Sequence, residues 1–101
     1  MVNDAILAKV QQYSKLIPLE MEVMKVYLFG SYAKGKAHED SDIDVAIVLA
    51  NMNDFFDTQM KLMRLRRKVD LRIEPHPINI NEFNQVNPLA NEILTHGFEV
   101  I

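Results

Sequence analysis

Residues 42–49, DIDVAIVL, constrain the fold of this chain more than any other stretch. Ile43, Val45, Ile47 and Leu49 alternate strictly with Asp42, Asp44, Ala46 and Val48, and side chains two apart on a strand share a face. The pattern predicts a β-strand with one wholly apolar face and one face that carries two carboxylates at its start. Such a strand needs a core on one side and an aqueous, charge-tolerant site on the other. The two carboxylates stand roughly 6 to 7 Å apart along the backbone and repel each other unless cations neutralise them. Hard oxygen ligands of this kind suit magnesium, which keeps several waters and recruits phosphate oxygens.

The flanking segments supply the rest of a small α/β domain. From Asn3, an expected N-cap, Ile6, Val10, Tyr13 and Ile17 fall at helical spacing until Pro18 interrupts the pattern. Lys25 to Phe29 is a short aromatic and branched run ending at Gly30, read as a strand buried on both faces. Asn53 is the expected cap of a helix reaching about Lys68, with Phe56, Met60 and Met63 as its inward stripe and the Arg64 to Lys68 cations at the negative end of its dipole. Val69 to Glu74 alternates again and stops before Pro75, giving a third strand with Asp70, Arg72 and Glu74 on one face. Asn87-Pro88 opens a last helix that Gly97 closes, and Phe98 to Ile101 form a small edge strand.

Bulk properties narrow the class. The 101 residues fit one domain, residues 1–101, with no repeat or linker and little room for a second lobe. A net charge of −3 disfavours a broad basic face for nucleic acid, so no stable nucleic-acid partner is expected. The absence of cysteine excludes disulfides and thiolate metal sites. No run approaches the roughly 18 apolar residues of a membrane span and the N-terminus lacks a signal-peptide layout, so a cytoplasmic location is the default expectation.

Two phosphate-handling patterns overlap between Gly30 and Val48. Gly30, Gly35 and Lys36 have P-loop spacing, but Ala37 stands where Ser or Thr must hold magnesium, and acidic residues followed by a strand replace the required helix. Asp40, Asp42 and Asp44 have the opening spacing of an EF-hand, yet Val45 occupies the obligatory glycine position and Asn51 the closing glutamate position. The surviving pattern is Gly30-Ser31 followed by Asp42 and Asp44. Gly30 permits a tight turn and close backbone approach, and Ser31 offers its N–H and hydroxyl to a phosphate from the start of a short helical turn. Lys34 and Lys36 add point charges nearby. A third carboxylate comes from the next strand, where Asp70 and Glu74 share a face. Arg72 is either a partner holding the aspartates or an ordinary surface cation. His38 lies in the loop within reach of a phosphate, whereas His76 and His96 show no metal-ligand spacing.

Gly30-Ser31, ten further residues and then Asp42-Ile43-Asp44 resemble the signature of the DNA polymerase beta nucleotidyltransferase superfamily, and Val69-Asp70-Leu71-Arg72 is similar to its third-carboxylate strand. Over nearly the whole chain the resemblance is to the minimal nucleotidyltransferases. It implies an α-β-α-β-α-β core with a small mixed sheet of three to four strands, and transfer of a nucleoside monophosphate from an NTP to a hydroxyl. It also implies two Mg2+ ions on Asp42, Asp44 and Asp70, with Asp70 favoured over Glu74, and phosphate contacts from Gly30, Ser31, Lys34 and Lys36. Minimal members commonly pair with a helical HEPN-domain toxin and act as antitoxins that AMPylate one of its tyrosines, which makes ATP the expected substrate and a hetero-oligomer the expected assembly. Masking of the partner without catalysis, or transfer to a small molecule or RNA end, are the competing functions.

Overall fold

The computed structural model describes residues 2–101. Helix α1 spans Asp4–Leu16, with Asn3 Oδ1 accepting from the N–H groups of Ala5 (2.8 Å) and Ile6 (3.3 Å). Strands β1 (Val23–Phe29) and β2 (Ile43–Leu49) pair antiparallel, helix α2 (Phe55–Leu65) crosses over, and β3 (Ile73–Asn79) lies parallel to β2. Helix α3 (Pro88–His96) and the two-residue β4 (Phe98–Glu99) follow, and β4 pairs antiparallel with β1 to complete a mixed sheet ordered β3-β2-β1-β4.

The alternation in β2 sets the layers. Ile43, Val45, Ile47 and Leu49 join Val26 and Leu28 against Ile6, Val10 and Tyr13 of α1 and Leu62 of α2. Tyr27, Phe29, Ala46 and Val48 face the other way, onto Ala90 and Ile93 of α3. Tyr13 ties the helical layer together: its buried hydroxyl donates to the Leu62 carbonyl at 2.6 Å, and burial pushes its pKa well above that of a free phenol. On the α3 face the apolar cover extends over Ala46 and Val48, while Asp44 stays partly accessible and Asp42 is exposed.

Two expectations are corrected. The third strand begins at Ile73 and runs through Pro75 and Pro77 instead of stopping before Pro75. Its edge position explains why: Ile43 N–H donates to Arg72 O at 2.8 Å, so even-numbered residues turn their peptide groups to β2 and odd-numbered ones turn outward. Both prolines therefore occupy positions where no ladder N–H is lost. Secondly, α2 buries Leu62, while Phe56 (72% exposed) and Met60 (40%) face outward. The stripes 58-62-65 and 56-60-63 have the same helical spacing, so periodicity cannot choose between them. The short helical turn expected after Gly30 is present as a single turn over residues 30–35.

Candidate active site

β1 ends at Phe29, and the chain turns through Gly30 in the left-handed region (φ 75°). Lys34 N–H then bonds Gly30 O (3.1 Å) and Lys36 N–H bonds Ser31 O (2.9 Å) across Gly35, which is also left-handed (φ 71°). A six-to-one bond over a left-handed glycine is the usual way to close a helix end. Gly35 is thus the stop of a single helical turn, which accounts for the P-loop-like spacing.

Asp44 sits beside this turn, because Phe29 is its antiparallel partner. The fit is tight: a Cβ on Gly30 would overlap Asp44 Oδ2. The other oxygen, Oδ1, lies 3.1 Å from His76 Nε2. In the parallel ladder Glu74 stands opposite Asp44 and His76 opposite Ala46, so Asp44, Glu74 and His76 share the α3 face. The Glu74 carboxyl is pushed above the usual carboxylate range by burial, then by a hydrogen-bonding contact with Asp42 and the charges of Asp42 and Asp44, with His76 opposing. Glu74 thus has both Asp42 and Asp44 as neighbours.

Asp70 does not join them. It precedes β3 and turns to the α1 side, where Oδ2 accepts from Lys9 Nζ (2.6 Å) and an Arg72 guanidinium nitrogen (2.8 Å), and Oδ1 accepts from Arg72 N–H (2.8 Å) and Nε (3.0 Å). All four acceptor positions of the carboxylate are filled. The Arg72 guanidinium first, and Lys9 with it, hold this carboxyl far below the usual range. Arg72 also donates to the Tyr32 hydroxyl (3.1 Å) and the Glu39 carbonyl (2.8 Å), which anchors the 36–41 loop. The structure thus sets Glu74, and not Asp70, opposite Asp44 in the β2–β3 pair. The difference follows from the strand boundary: once β3 continues through its prolines, Glu74 and His76 alternate with them on the face of Asp44.

The expected phosphate contacts separate similarly. Gly30 borders Asp44 and Ser31 follows it in the turn, while Lys34 is paired with Glu92 of α3 (2.9 Å) and Lys36 is exposed. The donor set of Asp42, Asp44 and Glu74 fits magnesium chemically, being all hard oxygen, and the contact between Asp42 and Glu74 is one a divalent cation relieves. Among the described residues no three His, Asp or Glu side chains cage an ion by themselves. Sites for nucleotidyl transfer take their remaining oxygens from substrate phosphates and water.

A tightly packed glycine turn beside carboxylates on adjacent strands is the arrangement that nucleotidyl transfer calls for. Residues 11–101 match the family described as polymerase beta, nucleotidyltransferase, and the chain belongs to it; it is a nucleotidyltransferase. Among its relatives is a Methanocaldococcus jannaschii protein assigned as a protein adenylyltransferase, 27% identical over 86% of this chain and 91% of its own. Among solved structures, a toxin-antitoxin with AMP-PNP superposes with a TM-score of 0.66 at 26% identity, over 94% of this chain and 72% of that one. A complex of tri-AMPylated Shewanella oneidensis HEPN toxin with MNT antitoxin shares the fold, with a TM-score of 0.60 at 22% identity over 97% and 71% of the two chains.

Proposed function

We propose that this chain is an antitoxin that transfers AMP from ATP to a tyrosine hydroxyl of a HEPN-family toxin. The observation that carries the chemistry is the convergence of Asp44 and Glu74, with Asp42 in contact with Glu74, beside the Gly30 turn. Its antitoxin context is supported by the likeness to the toxin-antitoxin with AMP-PNP, and the adenylyl donor by the adenylyltransferase relative.

In the reaction the acceptor oxygen attacks the α-phosphorus of ATP, the new P–O bond forms, the bond to the β,γ-diphosphate breaks and pyrophosphate leaves. Asp42, Asp44 and Glu74 are the residues that would hold magnesium, which when bound supplies charge neutralisation of the phosphates and acidifies the attacking hydroxyl. Glu74 takes or directs the acceptor proton, a task suited to a carboxyl whose surroundings push its proton affinity up. Ser31 presents its N–H and hydroxyl to the phosphates from the edge of the turn, and Gly30 lets Asp44 approach that turn.

Incubation with ATP labelled at the α-phosphate, Mg2+ and a candidate HEPN toxin is expected to label the toxin and relieve its toxicity. An Asp42→Asn, Asp44→Asn double variant is expected to retain toxin binding and lose both effects. Neutralisation by the double variant at wild-type strength would assign the protein to masking instead, and failure to label the toxin while ATP is bound would remove the AMPylation claim.

A further inference from the structure

His76 is absent from the three-carboxylate set, yet it touches the set's central member. Its Nε2 lies 3.1 Å from Asp44 Oδ1, and its ring stands edge-on to Phe29 with centroids 5.0 Å apart and planes at 67°. Pro75 and Pro77 flank it in β3, and their rings fix the local backbone. An ionised carboxylate only accepts hydrogen bonds, so a hydrogen bond to ionised Asp44 requires the tautomer of His76 with its proton on Nε2.

We infer that His76 is the positioning residue for Asp44: its Nε2–H takes one lone pair of Oδ1 and sets the rotation of the carboxylate, leaving Oδ2 aimed along the Gly30 turn where phosphate and metal meet. Two neighbours bear on Asp44 from opposite sides. Gly30, lacking a side chain, lets Oδ2 lie against the turn, and His76, held against Phe29, fixes Oδ1 from the β3 side. A carboxylate left free to rotate would have to be ordered each time substrate binds. Hydrogen-bonding partners of this sort commonly change metal affinity by about 10–100-fold when removed. Charged and titratable groups facing His76 are Asp44 across the β2–β3 pair and Glu74 on its own strand. Both are negative when ionised, and His76 sets the geometry through one of them.

This inference rests on Asp44 being a metal ligand, and the experiment separates the two claims. Mn2+ binding is measured by electron paramagnetic resonance in the presence of a non-hydrolysable ATP analogue, for the wild type, Asp44→Asn, His76→Phe and His76→Gln. Phe keeps an aromatic ring against Phe29 without the donor, and Gln offers an amide N–H near the position of Nε2. The expected result is weakening of Mn2+ binding by about 10-fold or more in His76→Phe, near-wild-type binding in His76→Gln, and the same order for the Mg2+ concentration giving half-maximal transfer. Wild-type Mn2+ affinity in His76→Phe, or a defect as large in His76→Gln, overturns the positioning role. Unchanged binding in Asp44→Asn overturns the metal-site reading and the inference with it. If His76→Phe does not fold, His76→Asn takes its place: its amide is too short to reach Asp44, so it is expected to be defective where His76→Gln is not, and equal affinity of the two overturns the proposal.

Discussion

Two glycines with nearly the same backbone but different surroundings allow the Asp44 placement to be tested by a matched pair. Gly30 and Gly35 have φ values of 75° and 71°, so an alanine at either incurs a left-handed penalty of about 1–2 kcal/mol. For a domain of this size each kcal/mol lowers the melting temperature by about 4–8 °C. There the likeness ends. A Cβ at Gly35 meets nothing within 4 Å, whereas one at Gly30 overlaps Asp44 Oδ2. The Asp44 carboxylate, held on its other side by His76, must then shift by about 1 Å, a misplacement that typically costs on the order of 10²-fold in rate. Gly35→Ala is expected to melt lower and to keep the wild-type rate of label transfer below its melting temperature. Gly30→Ala is expected to melt at least as low and to lose about 10²-fold in rate. Thermal unfolding followed by circular dichroism and a transfer assay well below both transitions read the two effects separately. Equal transfer rates in the two variants would refute the reasoning, since backbone strain would then account for everything.

Asp70→Asn is expected to destabilise the fold by about 1–3 kcal/mol at neutral pH, through loss of charged hydrogen bonds to Arg72 and Lys9. Because the native carboxyl of Asp70 is held below its unfolded value near 3.9, its contribution is full above about pH 5 and fades as pH falls through the depressed native range. The stability gap between wild type and variant, measured by urea unfolding, should therefore close in acid. Tyr13→Phe removes the bond to the Leu62 carbonyl and is expected to cost about 1–2 kcal/mol with no change in transfer, read by the same unfolding curves. Arg72→Met should leave the sheet intact and speed amide hydrogen exchange in residues 36–41, since Arg72 anchors that loop at the Glu39 carbonyl and Tyr32 hydroxyl.

How much of this was legible in the sequence depended on whether local pattern and tertiary context agreed. The alternation of β2 fixed its own two faces, and Asn3, Pro18, Asn87 and Gly97 marked helix limits where the structure has them. The pairing of Asp42 and Asp44 with the Gly30 turn was readable because both lie on one short stretch joined by the antiparallel β1–β2 pair. The placement of Glu74 opposite Asp44 was not, because it depends on where a separate strand begins. Proline normally ends a strand, and only the edge position of β3 permits Pro75 and Pro77 within it. That one boundary put Glu74, and not Asp70, opposite Asp44 and hid His76. The inward stripe of α2 was illegible for a different reason. Its two candidate faces are equally spaced, and the outward one carries the larger apolar side chains, Phe56 and Met60.

The central claim is that Glu74, and not Asp70, completes the carboxylate set. Transfer of α-labelled AMP from ATP should be compared in Glu74→Gln and Asp70→Asn, at a temperature where both are folded. The account predicts that Glu74→Gln loses transfer by orders of magnitude, while Asp70→Asn transfers at close to the wild-type rate despite its lower stability. An active Glu74→Gln beside an inactive, folded Asp70→Asn would contradict it.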